Sequence, residues 1–384
     1  MTALLELRIR FCISLRQLPE EVGQLQQLQH LLIEACSISA LPASIELLVA
    51  VTCLALQRCS SLASLPASIG QMQQLRYMDL GNCSSLRTVP DQLGQLTALT
   101  RLSFEGCSWL ASLPTTISEL QQLKELSLGY CSSLVSLPEH LGRLTALTVL
   151  SCKGCSIFGS LPPSIGELLQ LQTLYLNNCS YLATLPGSLG SLIQLTSLGL
   201  NRCSSLVSLP STIGQLLNLV ELGLDQCSCL ESLPATICNL TRLTVLDLSG
   251  CSSLCELPDN IHNMRGMLAA LDLGGCSSLG RLPASFGQLN NIGDLMLDEC
   301  SSLTELPESL GDMVQLTTID LSGCSSLQRL PGTLGNLTAM ESLIIIIIML
   351  PNQAIASTPS APRPSGAEGR GSTAPLCLQL LRTS

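Results

Sequence analysis

Twenty cysteines in a chain of 384 residues invite metal or redox chemistry, and their spacing decides the matter. Fourteen of them, Cys12, Cys36, Cys59, Cys83, Cys107, Cys131, Cys155, Cys179, Cys203, Cys227, Cys251, Cys276, Cys300 and Cys324, recur at 24 residues, with one interval of 23 and one of 25. A structural zinc site wants two convergent pairs. Cys152-Lys-Gly-Cys155 has the spacing of one pair and Cys227-Ser-Cys229 lies close by, but no second pair accompanies either. Cys152 stands where other units carry a core leucine, and Cys155 belongs to the regular series. The series therefore marks one position of a repeating unit, and no metal or cofactor is expected. Rungs about 4.8 Å apart fall within the Cα separation that disulfides allow, so distance leaves pairing between neighbours open, whereas a reducing cytoplasm disfavours it.

Other catalytic constellations are equally sparse. His30, His140 and His262 sit in different units, far apart in sequence. Serine is abundant because Cys-Ser-Ser recurs, and no G-x-S-x-G elbow or paired-carboxylate site is present. The reading is a binding scaffold, not an enzyme.

The elements that carry these residues follow from the repeat itself. From Leu123 one unit reads LQQLKELSLGYCSSLVSLPEHLGR, and the shared frame is L-x-x-L-x-L-x-x-C-x-x-L-x-x-L-P. Leu126 and Leu128 alternate with Glu125, Ser127 and Gly129, the period of two of a short strand with one buried face. A strand this short buries its leucines only when the next unit stacks beside it, which predicts a parallel, in-register ladder with a continuous apolar core behind it. Leu-Pro follows in 13 of the 14 units, from Leu18-Pro19 to Leu330-Pro331, with Val89-Pro90 in the remaining one, so the return segment starts extended or in a turn. Ten units carry glycine eleven residues after the cysteine, where a positive φ or close packing is expected. The outer side is read as irregular or 3₁₀ turns.

This frame resembles the leucine-rich repeat. Phrases such as Cys59-Ser-Ser-Leu-Ala-Ser-Leu-Pro-Ala-Ser-Ile-Gly70 are similar to the repeats of plant intracellular disease-resistance proteins and of Shoc2-like cytoplasmic proteins. The resemblance covers residues 1–350. It implies an α/β repeat solenoid, a horseshoe with a parallel concave sheet and an irregular or 3₁₀ convex side, and a role in intracellular signalling or defence. Plant receptors of this kind carry a nucleotide-binding domain. No G-x-x-x-x-G-K-[ST] occurs here, and the only lysines are Lys124 and Lys153, so ATP switching is not carried over.

Composition sets further bounds. Fourteen strands at about 4.8 Å make a stack of roughly 65 Å in one elongated domain over 1–350. The segment 351–384 is rich in Pro, Ser, Ala and Gly and is expected to be disordered. The longest apolar run, Leu343 to Leu350, is too short to span a bilayer and falls where a fifteenth strand belongs. Met1-Thr-Ala-Leu-Leu-Glu enters directly into a strand without the order of a signal peptide, which predicts a cytoplasmic protein. The Asn-x-Ser/Thr sites at Asn82, Asn178, Asn239 and Asn336 are read as repeat coincidences. The first strand lies close to Met1, so either a larger parent chain or a partner is expected to cover that end of the core.

The net charge of −10 argues against nucleic acid. It is also regional, because residues 221–320 hold 14 Asp and Glu against Arg242, Arg265 and Arg281. Residues six, four and two before each cysteine point away from the core, onto the concave face. There Asp79, Asp247, Asp272 and Asp320 lie four before the cysteine, with Glu221, Asp225, Asp294 and Asp298 in the adjacent columns. Tyr77, Arg101 and Tyr175 are the anchors expected among the earlier strands, since Tyr and Arg dominate interface hot spots. The expectation is a protein partner with a basic surface; the alternative is a charged face that serves solubility alone.

Overall fold

The structure is a computed structural model that describes residues 4–266 and 268–346. The tail expected from residue 351 onward lies outside the described residues, as does the end of the apolar run after Ile346.

Each unit contributes one short strand: β1 (Glu6–Arg10), β2 (His30–Glu34), β3 (Cys53–Ala55), β4 (Tyr77–Asp79) and β5 (Arg101–Ser103) begin the series. It continues through β6 (Glu125–Ser127), β7 (Val149–Ser151), β8 (Thr173–Tyr175), β9 (Ser197–Gly199) and β10 (Glu221–Gly223). The last are β11 (Val245–Asp247), β12 (Ala270–Asp272), β13 (Asp294–Met296), β14 (Thr318–Asp320) and β15 (Ser342–Ile344), the last of these in the apolar run where a fifteenth strand was expected. All fifteen form one parallel sheet in chain order. The register is that of the repeat, so Leu126, Leu150, Leu174 and Leu198 are direct neighbours. Each leucine, buried on its own rung only by the rungs on either side, contributes on the order of 2 kcal/mol of transfer free energy. Leu126, Leu128, Leu134, Leu141, Leu144 and Leu147 of one unit are all buried.

After the ladder cysteine the chain crosses to the opposite side of the core. The proline of Leu-Pro is extended, as at Pro66 (φ −70°, ψ 148°) and Pro210 (φ −66°, ψ 144°), and a 3₁₀ turn follows it. Fourteen such turns run from Glu20–Gln24 to Gly332–Asn336, and no α-helix occurs among the described residues. The glycine column eleven after the cysteine serves close packing, not positive φ. A Cβ on Gly94 would strike the Thr116 carbonyl of the next turn, and one on Gly214 the Thr236 carbonyl. The unit from Cys251 to Cys276 carries one extra residue and absorbs it on this side: the turn Ile261–Met264 ends on Arg265 in the right-handed helical region, while Asp247 and Asp272 keep their pairing.

A second backbone constraint has a mixed sequence. The residue just before each ladder cysteine has φ between +52° and +78° in all fourteen units, from Phe11 and Ala35 to Gly323. Its N–H is drawn to the next rung, as from Asn82 to Glu105 O and from Arg202 to Asp225 O, and a left-handed residue then turns the chain inward. Five of the fourteen are glycine; Asn82 and Asn178 are asparagine, which tolerates this region better than other non-glycine residues. Two of the Asn-x-Ser sites thus recur for a conformational reason.

The inward turn delivers the cysteine to a specific acceptor. Cys83 Sγ donates to Leu56 O at 3.0 Å, Cys131 to Phe104 O at 3.2 Å and Cys203 to Leu176 O at 3.1 Å, each carbonyl lying three residues before the previous ladder cysteine. Cys152 and Cys155 do not converge on a common site: Cys155 Sγ bonds Leu128 O, while the Cys152 carbonyl receives Cys179. All nineteen cysteines among the described residues are free thiols.

Two expected outcomes follow. Left-handed strain in a non-glycine residue costs about 1–2 kcal/mol, partly offset by the greater unfolded-state entropy of glycine. Gln226→Gly and Glu299→Gly should each stabilise by about 0.5–1 kcal/mol and Gly250→Ala should destabilise by about 1 kcal/mol, read from urea midpoints; a lower midpoint for both glycine variants refutes the assignment. Burial pushes the thiols of Cys107, Cys155, Cys203, Cys227, Cys251 and Cys300 from 9.0 up to about 12. The folded value is the higher one, so their stabilisation is complete below pH 9 and is lost as pH rises toward 12, at about 1.4 kcal/mol per thiol per pH unit. Far-ultraviolet dichroism should show cooperative alkaline unfolding within that window, and a fold intact beyond it contradicts the buried ladder.

Candidate protein-binding face

The concave surface is built from three columns of side chains, six, four and two residues before each cysteine. The parallel register fixes their neighbours: Arg101 pairs with Glu125 across β5 and β6, and Asp247 with Asp272 across β11 and β12. Like charges directly opposite on a sheet repel, so the second pairing is unfavourable unless something else satisfies it.

The two halves of the face differ in how their charges are used. In the first half most acids and bases pair with one another, Glu105 and Lys153 excepted. Arg10 and Arg58 both bridge Glu34, at 3.3 and 3.5 Å, and Arg101 bridges Glu125 at 3.0 Å. Asp79 is buried at 6% exposure, its Oδ1 accepting the Gly81 N–H at 2.8 Å and its Oδ2 accepting Gln57 at 2.5 Å and the Tyr77 hydroxyl at 3.0 Å. Asp79 is therefore a structural anchor with no carboxylate oxygen left for a partner. Burial and Asp79 together push the Tyr77 hydroxyl up to about 12, which keeps it a donor in that bond. Of the three expected anchors, Tyr77 and Arg101 are engaged internally. Tyr175, 39% exposed, is the free one.

In the second half no ion pair joins Glu221, Asp225, Asp247, Asp272, Asp294, Asp298 or Asp320 to a base among the described residues. Three of the aspartates also have a local duty. Asp247, Asp272 and Asp320 each accept, through Oδ1 at 2.9 Å, the N–H of the residue two further on, which lies past the end of the strand ladder. Their Oδ2 atoms receive no hydrogen bond from the described residues. Burial, then the Asp247 charge, raises the Asp225 carboxyl above its ordinary value, and burial leads the same shift at Asp272. The stripe is a set of half-satisfied carboxylates held at strand spacing.

The smaller of two depressions on the face, about 160 Å³, lies around Asp79 and Glu105; the larger has a volume of about 380 Å³ and lies over β8 to β11, between Tyr175 and Asp247. Its floor is Gly199 and Gly223, which take the column position that Tyr175 and Asp247 fill on either side. Beside the floor Asn177 donates to Asn201 and Asn201 to Asp225, and a Cβ on either glycine would collide with these amides. The columns of the frame locate these residues, but the glycines draw attention only as a pair in consecutive units.

The three histidines remain apart, with His30 in β2, His140 before the turn Leu141–Arg143 and His262 within Ile261–Met264. Among the described residues no three His, Cys, Asp or Glu side chains gather into a metal-binding group. No helix among them is long and apolar enough to cross a membrane.

Comparison with known proteins agrees with this architecture. A family model described as a leucine-rich repeat region matches residues 2–113 and 64–157, and a second, leucine rich repeat, matches 170–192, 242–264 and 315–337. No curated protein matches the chain. Among solved structures, the leucine-rich-repeat protein LIC12759 of Leptospira interrogans is 27% identical, with a TM-score of 0.65 over 90% of this chain and 84% of that one. The Arabidopsis receptor kinase HAESA, solved with the peptide hormone IDA and the co-receptor SERK1, is 22% identical with a TM-score of 0.49 over 86% of this chain and 67% of that one. With the frame, the fifteen-stranded parallel sheet and the 3₁₀ return turns in place, the chain is a leucine-rich repeat protein.

Proposed function

We propose that this protein is a recognition scaffold that binds a protein partner with a basic surface through the second half of its concave face. The observation that carries the reading is the contrast between the halves: the first pairs most of its charges internally, Glu105 and Lys153 excepted, while seven carboxylates from Glu221 to Asp320 form no ion pair among the described residues, with only Arg202 near enough to Asp225 to favour its charge. Aligning such charges within a sheet is unfavourable in the free protein. A cationic partner converts that repulsion into attraction, and the same field speeds encounter. No catalytic step is part of this function.

The setting we infer is cytoplasmic signalling or defence. Nineteen free thiols suit a reducing compartment, and the defence role rests on the similarity of the Cys-Ser-Ser-Leu units to plant resistance proteins. The alternative is a Shoc2-like adaptor without an immune role; a nucleotide-binding domain encoded directly upstream favours the receptor, and its absence the adaptor. Leu5, Phe11 and Ile13, exposed beside β1, are the apolar surface that a covering domain or partner would bury.

The test is affinity capture by the full chain and by the combined variant Asp247→Asn, Asp272→Asn and Asp320→Asn. Asparagine keeps the Oδ1 acceptor, so the fold should persist, as circular dichroism will show. At low salt the variant should retain about a tenth of the wild-type affinity or less, a loss of ~1.4 kcal/mol or more, and wild-type binding should weaken as salt rises. Equal capture by both proteins at low salt would sink the acidic-face reading.

A further inference from the structure

We propose that the depression between Tyr175 and Asp247 receives one arginine side chain of the protein that docks on the concave face. This rests on the reading that the face binds a basic protein surface, and it adds a single specificity position to it.

The pocket is formed by missing side chains. A Cβ on Gly199 or Gly223 would meet the carboxamide of Asn177 or Asn201, so a side chain there would both fill the pocket and push the amide ladder aside. From β8 to β11 are three rung spacings, about 14 Å. That length takes an extended arginine lying across the rungs, its stem over Gly199 and its guanidinium over Gly223. The stem then runs along the exposed ring of Tyr175, and the guanidinium comes within reach of carboxylates on three sides: Asp247 on the next rung, with Glu221 and Asp225 flanking Gly223 on its own.

These groups are prepared for a cation. The amide ladder donates in one direction and ends on Asp225, which accepts. Asp247 uses Oδ1 for the Ser249 N–H at 2.9 Å and hydroxyl at 2.6 Å, and leaves Oδ2 free. Glu221 accepts the Ser197 hydroxyl at 2.9 Å, which fixes its carboxylate at the rim. The like charges of Asp225 and Asp247 repel across adjacent rungs, and a cation between them relieves both. Arginine fits better than lysine, because a planar fork pairs with two carboxylates while its face stacks on tyrosine. Exposed Leu169, Ile193 and Leu217 each lie four residues before the start of β8, β9 and β10, so apolar contact area is available at the same three units.

The experiment pans the full chain against a displayed library of random 12-residue peptides and measures the enriched peptides, synthesised singly, by calorimetry. The expected result is one arginine fixed among the binders. Replacing it by lysine should weaken binding about tenfold, and so should Tyr175→Ala or Asp247→Asn in the protein, while Asp320→Asn, outside the pocket, should weaken it roughly threefold or less. Enrichment without a fixed arginine, or no enrichment, overturns the proposal. Equal losses for Asp247→Asn and Asp320→Asn also overturn it but leave the acidic face standing. Binding indifferent to all three protein variants overturns both.

Discussion

No unit of this chain can bury its own leucines. A strand of three residues and a 3₁₀ turn enclose no core, so each rung is stable only because its neighbours cover both of its sides, and every other feature of the molecule is subordinate to that stacking. The frame leucines are buried along the sheet, and only those near β1 and β15, such as Leu7, Leu15, Leu327 and Leu343, are partly exposed. Polar groups largely obey the same rule: strand amides, the buried ladder thiols and turn hydroxyls such as those of Thr116 and Thr212 find acceptors one rung away. Stability in such an array is a sum of intrinsic unit terms and interface terms, not the property of one centre.

This explains how much the sequence discloses. The strand, the leucine core, the extended Leu-Pro and the fixed place of the cysteine in the unit were legible, because each depends on residue type at a fixed position. The left-handed residue before the cysteine was not. Phe11, Arg58, Tyr130 and Glu299 share no chemistry, and the conformation is imposed by the need to reach the next rung's carbonyl and then turn inward. Glycine and asparagine at that column were a partial signal, diluted by the other residues.

The concave face was legible as columns but not as function. Asp79 and Asp320 occupy the same column, and sequence position alone cannot separate them. What separates them is the company of three rungs: Gln57 and Tyr77 close over Asp79, whereas Met296 and Ile344 flank Asp320. Arg101 was likewise read as an interface anchor, and its guanidinium is tied to Glu125. Charge counts gave the acidity of the second half correctly; which carboxylates retain an open oxygen emerges only from side-chain geometry.

The extra residue between Cys251 and Cys276 shows where the fold keeps its tolerance. It changes the turn around Ile261–Met264 and leaves the pairing of β11 with β12 untouched. The back of the sheet thus works as a length buffer for the front. Units can be duplicated, lengthened or trimmed in their turns while every face column stays aligned, so the concave face can be rewritten one rung at a time by exchange of whole units, and an error in copying length is kept away from its columns.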